Sequence, residues 1–325
     1  VARTVLITGG AGFIGSNLAR ALAARGDRIR VLDDLSVGSV RYLDGVPHEL
    51  VSVTLADDSA VRETVRGVDA IVHLAARAGI PDSVADPRGT FEANVSQTVG
   101  LLDAARLAGV ERFVFASSNA AAGDHAPPAD ETDLPHPVSP YGASKLAGEA
   151  YCQAFAATYG LAACALRFSN AYGPNSLHKR SVVAAWLRAA LTGQPIAIDG
   201  DGEQTRDFVH AADLAAAIAA ALDAPAERVA GELFQVGTGR ETTINALATA
   251  IGAAIDRPVT IRHTPARPGD VRRNVSRVDK AATVLGYRAA RSLADGLAET
   301  ARWFAAALDD PELAAIHPNA TSGSE

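Results

Sequence analysis

The chain lacks the features that would place it in a membrane, in a secreted disulfide scaffold or on a nucleic acid. Its longest apolar stretches, such as AADLAAAIAAALDA, are alanine-rich and broken by Asp213 and Asp223. They fall short of the roughly 20 apolar residues a membrane span needs. Cysteine occurs twice, as Cys152 and Cys164, too few for a four-ligand zinc site or a disulfide framework. His178 and His210 have no partner at metal-binding spacing, so no metal is expected. The formal net charge is −7 and no run of Lys or Arg exceeds two residues. That excludes a non-specific binder of nucleic-acid backbones and requires any bound anion to be held locally. The opening VARTVLITGG enters a strand directly, without the regions of a secretory signal. A reducing cytoplasm is the expected compartment.

What is present is the material of an α/β fold. The 325 residues are 48% apolar, enough for a sizeable core. Short β-branched runs, at 4–8, 29–33, 50–55, 70–75, 112–117 and 162–167, alternate with helical segments such as 15–25 and 90–108. This rhythm predicts a Rossmann-type, doubly wound parallel sheet with helices on both faces. The strands are continuously apolar rather than alternating, as strands covered on both faces are. After about residue 170 the rhythm changes to Gly-rich turns, short strands and further helices. The expected organisation is a parallel-sheet domain over 1–170, a second lobe mainly over 171–310 and a flexible polar tail over 311–325.

VLITGGAGFIGSNLARAL reads as strand, glycine loop and helix, with glycines at 9, 12 and 15. Gly9 permits the tight turn, Gly12 lets the backbone approach a pyrophosphate, and Gly15 allows close packing of helix on strand. The helix N-terminus supplies N–H donors and the positive end of a dipole. A glycine triplet alone is a weak signal. Here Asp33 follows at the end of the second strand, where a carboxylate accepts the hydroxyls of an adenosine ribose and repels a 2′-phosphate, which selects NAD over NADP. Asp34 reads as a loop residue. SPYGASK places Tyr141 and Lys145 one helical turn apart, on one face of a helix starting near Pro140. His73 lies within a strand and reads as a buried, backbone-bonded residue.

TGGAGFIG, VHLAA (72–76), Asn94, FASSNAAAG (115–123), SPYGASK, LRFSNAYGP (166–174), GDGEQTRDFVH (200–210) and RPGDVRRNVSRVDKA (267–281) follow one another in an order that resembles the extended short-chain dehydrogenases/reductases. Over residues 3–304 the chain is similar to the NAD-dependent sugar-nucleotide epimerases and dehydratases. The resemblance implies NAD contacts from Gly9, Gly12, Phe13, Ile14, Gly15, Asp33, Asp57, Leu74, Ala75, Ala76, Asn94, Tyr141 and Lys145. It implies a catalytic group of Ser118, Tyr141 and Lys145. A phenol of ordinary pKa about 10 would be drawn toward phenolate by the ammonium of Lys145 and by a nicotinamide cation. Ser118, at the end of the preceding strand, would hold the substrate oxygen.

For the substrate, the resemblance implies a UDP-sugar met by Ser118, Asn119, Asn170, Arg206 and Arg267, with Asp270 on the ribose and Arg180 near the sugar. Guanidinium forks suit diphosphate oxygens and let an acidic protein bind a dianion. The dehydrating members carry an Asp-Glu pair after the catalytic hydroxyl, and here Asn119 and Ala120 stand there. The expected reaction is therefore redox-neutral 4-epimerisation of UDP-glucose or UDP-glucuronate. A UDP-N-acetylhexosamine 4-epimerase and a dehydratase or 4-keto reductase are the alternatives, and an NAD-sensing binding protein is a remote one. Lys179 and Arg180 favour a sugar carboxylate. Ala122 replaces the tyrosine usual before Gly123, which is expected to widen or reshape the pocket. A homodimer through the helices near 91–108 and 141–159 is expected.

Overall fold

The computed structural model describes residues 2–266 and 271–316. Six strands of the first half, β1 (Thr4–Thr8), β2 (Arg28–Leu32), β3 (Glu49–Val51), β4 (Ala70–His73), β5 (Arg112–Ser118) and β6 (Ala162–Phe168), form a parallel sheet with one strand from the second half, Leu233–Val236. The spatial order is Leu233–Val236, β6, β5, β4, β1, β2, β3. Every residue of β1 and β6 is buried, as expected of strands sandwiched between two helical layers.

On one face α1 (Phe13–Ala24) and the helix Ala211–Asp223 bring Leu18, Leu22, Leu214 and Ile218 onto Val5, Ile7 and Leu166. On the other, Leu101, Leu102 and Phe155 from the helices Gln97–Leu107 and Pro140–Tyr159 cover Leu6, Ile71 and Phe113. A third core lies outside the sheet, where Trp186, Leu247 and Phe304 join the helices Val182–Leu191, Ile244–Ala254 and Leu293–Asp309.

Two elements differ from the sequence reading. The strand expected over 50–55 ends at Val51, because β3 is the sheet's outer strand with a single neighbour and the following residues turn into the Asp57 cap of the next helix. The helix expected over 90–108 is two α-helical pieces, Pro87–Phe91 and Gln97–Leu107, joined by a π-turn over Glu92–Ser96 that carries Asn94. Such turns recur at functional sites. The chain also crosses back over residue 170, since Leu233–Val236 and Ala211–Asp223 pack into the first half. The tail expected over 311–325 begins as a short helix, Pro311–Ile316, and its remainder lies outside the described residues.

Candidate active site

The carboxyl ends of β1, β4 and β5 carry the candidate residues. After β1, Gly9 sits at φ +68°, and a Cβ there would lie 2.8 Å from the Ala75 nitrogen. A Cβ on Gly15 would come within 2.2 Å of the Gly9 carbonyl oxygen. Both positions admit only glycine, one for turn conformation and one for packing. Gly12 is the N-cap of α1 with no side-chain cap, and the first turn holds no acidic residue. The first N–H groups of α1 are therefore available to an anion. Phe13 is buried and Ile14 half-buried on that turn.

Asp33 is 7% exposed. Its Oδ2 accepts the Ala11 N–H and its Oδ1 the Leu35 N–H, both at 2.9 Å. It thus ties the end of β2 to the glycine loop while each oxygen retains a lone pair for a ribose hydroxyl. Burial raises its pKa above the ordinary carboxylate value. Asp34 turns back on its own loop, accepting the Ser36 N–H and O–H.

At the end of β4, the Leu74 N–H bonds the Thr8 carbonyl and the Ala75 N–H bonds the Thr8 hydroxyl. Leu74, Ala75 and Ala76 are all half-buried beside the glycine loop. Asn94 accepts the Arg77 N–H at 2.7 Å and donates to the Arg77 carbonyl and Ser144 hydroxyl, both at 3.0 Å. It anchors the loop after β4 to the helix bearing Lys145. Asp57 is exposed and caps its helix by accepting the Ala60 N–H.

The helix Pro140–Tyr159 starts where local chemistry dictates: Ser139 caps the Gly142 N–H at 3.1 Å and proline occupies the first position. Tyr141 and Lys145 both face β5. The Tyr141 phenol hydrogen-bonds Ser118, and Lys145 Nζ donates to the Ala116 carbonyl at 2.8 Å. Ser118, Tyr141 and Lys145 are therefore brought together. Lys145 is 3% exposed, with Nζ 4.8 Å from the Phe115 ring centre and 6.0 Å from that of Tyr141. Burial lowers the Lys145 pKa to about 8, against a smaller raising effect of Glu149.

The chain's own groups push the Tyr141 phenol upward, because burial outweighs the Ser118 hydrogen bond. This corrects the expectation that Lys145 lowers it: the ammonium is turned to the Ala116 carbonyl rather than to the phenol. His73 is also corrected in detail. It is buried, but its partners are hydroxyls, with Nδ1 2.7 Å from Thr8 Oγ1 and Nε2 2.9 Å from Thr98 Oγ1. Thr98 spends its proton on the Asn94 carbonyl, so the bonding pattern assigns the ring proton to Nε2 and leaves Nδ1 to accept from Thr8. Burial, with Lys145 nearby, lowers the His73 pKa to about 3.

The substrate residues divide. Asn119 is 7% exposed, and its Nδ2 lies 3.3 Å from Ser169 Oγ, 3.1 Å from Asn274 Oδ1 and 3.0 Å from Ser276 Oγ. Ser169 bonds Asp207, which also accepts the Thr238 and Gly239 N–H groups. Asn119 thus belongs to a buried network joining the sheet to the second lobe. Asn170 is half-buried and opens the short strand Asn170–Tyr172, one residue beyond β6. Arg206 donates through NH1 to the Thr205 and Val271 carbonyls. Arg180 is exposed, whereas Lys179 is half-buried and has its pKa lowered by burial. Arg267 and Asp270 lie outside the described residues. Ala122 is 2% exposed, and its carbonyl accepts the His136 N–H at 2.7 Å.

Sequence reasoning passed over Glu149 and Arg167. They form a buried bidentate ion pair at 2.8 and 2.7 Å, directly behind Lys145. The available signal was the spacing, since Glu149 follows Lys145 by the same helical turn that separates Lys145 from Tyr141.

A doubly wound parallel sheet with an uncapped glycine loop after β1 and a Ser–Tyr–Lys group at the end of β5 defines a dinucleotide-dependent enzyme of the extended short-chain dehydrogenase/reductase class. Comparison with known proteins narrows the class. The chain belongs to the NAD dependent epimerase/dehydratase family, whose profile matches residues 5–237. It is 39% identical to a UDP-glucose 4-epimerase of Mycolicibacterium smegmatis, over 92% of this chain and 97% of that one. It is 33% identical to a dTDP-glucose 4,6-dehydratase of Streptomyces niveus, over 92% of each. Among solved structures it is similar to MoeE5 in complex with UDP-glucuronic acid and NAD, with a TM-score of 0.84 and 33% identity over 93% of this chain and 98% of that one. NAD is the cofactor, and the glycine loop, the free N-terminus of α1 and Asp33 have the shape and donors to hold it.

Proposed function

We propose that this enzyme epimerises a UDP-sugar at C4, acting on UDP-glucuronate/UDP-galacturonate or UDP-glucose/UDP-galactose. The carrying observation is the group Ser118–Tyr141–Lys145 without an acid pair beside it. Asn119, at the first position after Ser118, is consumed by the buried network, and Ala120 has no polar group. Neither can move the protons that loss of water from the sugar requires, whereas 4-epimerisation needs one base acting on one hydroxyl.

Tyr141, as phenolate, takes the proton of the sugar 4-hydroxyl and returns it. Ser118 holds the same oxygen, and Lys145, held on the Ala116 carbonyl with Nζ 6.0 Å from the Tyr141 ring centre, adds positive charge to the site without touching the phenol. NAD, when bound, supplies a hydride acceptor and donor and a cationic ring that favours the phenolate. Its carrier loop holds it with Gly9, Gly12, Phe13, Ile14, Gly15 and Asp33, flanked by Asp57, Leu74, Ala75, Ala76 and Asn94. Asn170, Arg206, Arg267 and Asp270 receive the UDP moiety, and the cations Lys179 and Arg180 meet the sugar.

The chain works as a homodimer in a reducing compartment. Phe91, Leu107 and Tyr159, on the helices expected to pair, are exposed large apolar residues, and both cysteines are buried free thiols. Sedimentation of the purified protein tests the dimer. Among the described residues no helix is long and apolar enough to cross a membrane.

The function is tested by proton NMR of the protein incubated separately with UDP-glucose, UDP-glucuronate and UDP-N-acetylglucosamine, without reductant. Growth of a second anomeric signal to an equilibrium ratio identifies the 4-epimerase and its sugar. No change with any of the three overturns the reading.

A further inference from the structure

Three consecutive residues of β5 each hold a different turn of the helix Pro140–Tyr159. Ser118 bonds Tyr141, the Ala116 carbonyl accepts Lys145, and the Ser117 hydroxyl donates to Glu149 Oε1. The third contact is reinforced from the neighbouring strand: Arg167, in register with Ser117 on β6, grips both Glu149 oxygens through Nε and NH2. The two side chains are 1% and 7% exposed, and Arg167 NH1 is buried without a hydrogen-bond partner.

A buried ion pair is a costly way to fasten a helix to a sheet, since apolar residues of the same volume pack at least as stably. Its placement one helical turn from Lys145 suits a role that apolar residues do not fill. We propose that Glu149, clamped by Arg167 and Ser117, is a positioning residue for the Tyr141–Lys145 pair, fixing where the ammonium sits and holding it in its charged form. The ionisable groups around Lys145 leave Glu149 as the nearest source of negative charge. On its own helix it faces Tyr141 and Glu149; from β4 it faces His73, which burial keeps neutral; from β6 comes the cation Arg167; and β5 presents the Phe115 ring and backbone. Cys152, beside Glu149, stays a neutral thiol because burial raises it well above its ordinary value.

The kinetic part of this inference rests on the epimerase reading, but its electrostatic part does not. The sequence holds three lysines, Lys145, Lys179 and Lys280, so lysine labelled at Cε gives a resolvable NMR titration, with Lys145→Met assigning the signal. In the NAD-loaded protein, Glu149→Gln is expected to lower the Lys145 midpoint by about one pH unit. The alkaline limb of kcat falls with it. Because Glu149→Gln strands Arg167, the charge-free pair Glu149→Gln/Arg167→Met is measured alongside and is expected to show a smaller shift in the same direction. A Lys145 midpoint equal to wild type in the folded variants, with only thermal stability reduced, overturns the proposal. A shifted midpoint in a protein that converts no sugar upholds the charge relationship and refutes the epimerase reading instead.

Discussion

Asn119 and Ser276 meet side chain to side chain at 3.0 Å although 157 residues separate them. The contact fastens the residue after Ser118 to the stretch just beyond the short strand Arg273–Asn274. Replacing Asn119 by Ala removes the amide that Ser169, Asn274 and Ser276 share in a buried site, leaving Ser169 and Ser276 with only each other, Asp207 and Gln235. That is expected to cost about 1–3 kcal/mol, seen as a lower midpoint in urea. Asn119→Asp, which restores one member of the dehydratase pair, is expected to bury a charge and destabilise further without producing a 4-keto-6-deoxy sugar. Detection of that product by NMR would refute the assignment of Asn119 to the network.

Tyr141→Phe is expected to abolish turnover, by at least about a thousandfold, while NAD remains bound, as read by nicotinamide fluorescence after chemical reduction. In the proposed mechanism the phenol oxygen is the reacting atom, whereas the proposed cofactor contacts lie chiefly on the glycine loop. Activity retained by this variant would remove the phenolate mechanism.

Gly15→Ala places a methyl group 2.2 Å from the Gly9 oxygen and 2.6 Å from the Gly10 Cα. Backbone must move, because neither atom belongs to a flexible side chain. A loss of NAD affinity of at least about tenfold is expected, a change of 1.4 kcal/mol or more, measured by calorimetry. Affinity equal to wild type would show that the loop does not hold the pyrophosphate.

His73 makes stability depend on acid. Its pKa is near 3 in the fold against an ordinary 6.5, so the unfolded chain takes up the proton first as pH falls. Its contribution is complete above pH 6.5 and is lost progressively from there down to about 3. A second proton on the ring would also displace the hydrogen bond from Thr8. His73→Asn should flatten the drop in melting temperature between pH 7 and pH 5; an equally steep drop would place the acid sensitivity elsewhere.

Lys179→Ala and Arg180→Ala should each raise KM for UDP-glucuronate more than for UDP-glucose. The larger effect is expected at Lys179, which is half-buried while Arg180 is exposed. Equal effects on both sugars would remove the carboxylate role.

The first half of the fold was legible because a buried parallel strand announces itself: TVLIT and AACALR are continuous apolar runs, and glycines 9, 12 and 15 bracket a helix start. Ser118, Tyr141 and Lys145 were legible through spacing and through resemblance. Leu233–Val236 was not, since LFQV is four residues long and carries Gln235, whose burial makes sense only beside β6. Nor was the commitment of Asn119, because its partners lie 50, 155 and 157 residues away and local pattern carries no trace of them. Glu149 was hidden for a different reason: an acidic residue on a helix looks solvated until a strand residue such as Arg167 is known to face it.

The late arrival of Leu233–Val236 determines what can be cut from this protein. It pairs with β6 from Ala165↔Leu233 to Phe168↔Val236, closing a side of the sheet that earlier chain cannot close. A fragment ending near residue 170 would expose the flank of a seven-residue strand buried along its whole length, an open template for adhesion between copies. The nucleotide-binding half is therefore not a module that can be expressed alone or grafted elsewhere; it becomes complete only after the chain has travelled through the other lobe and returned.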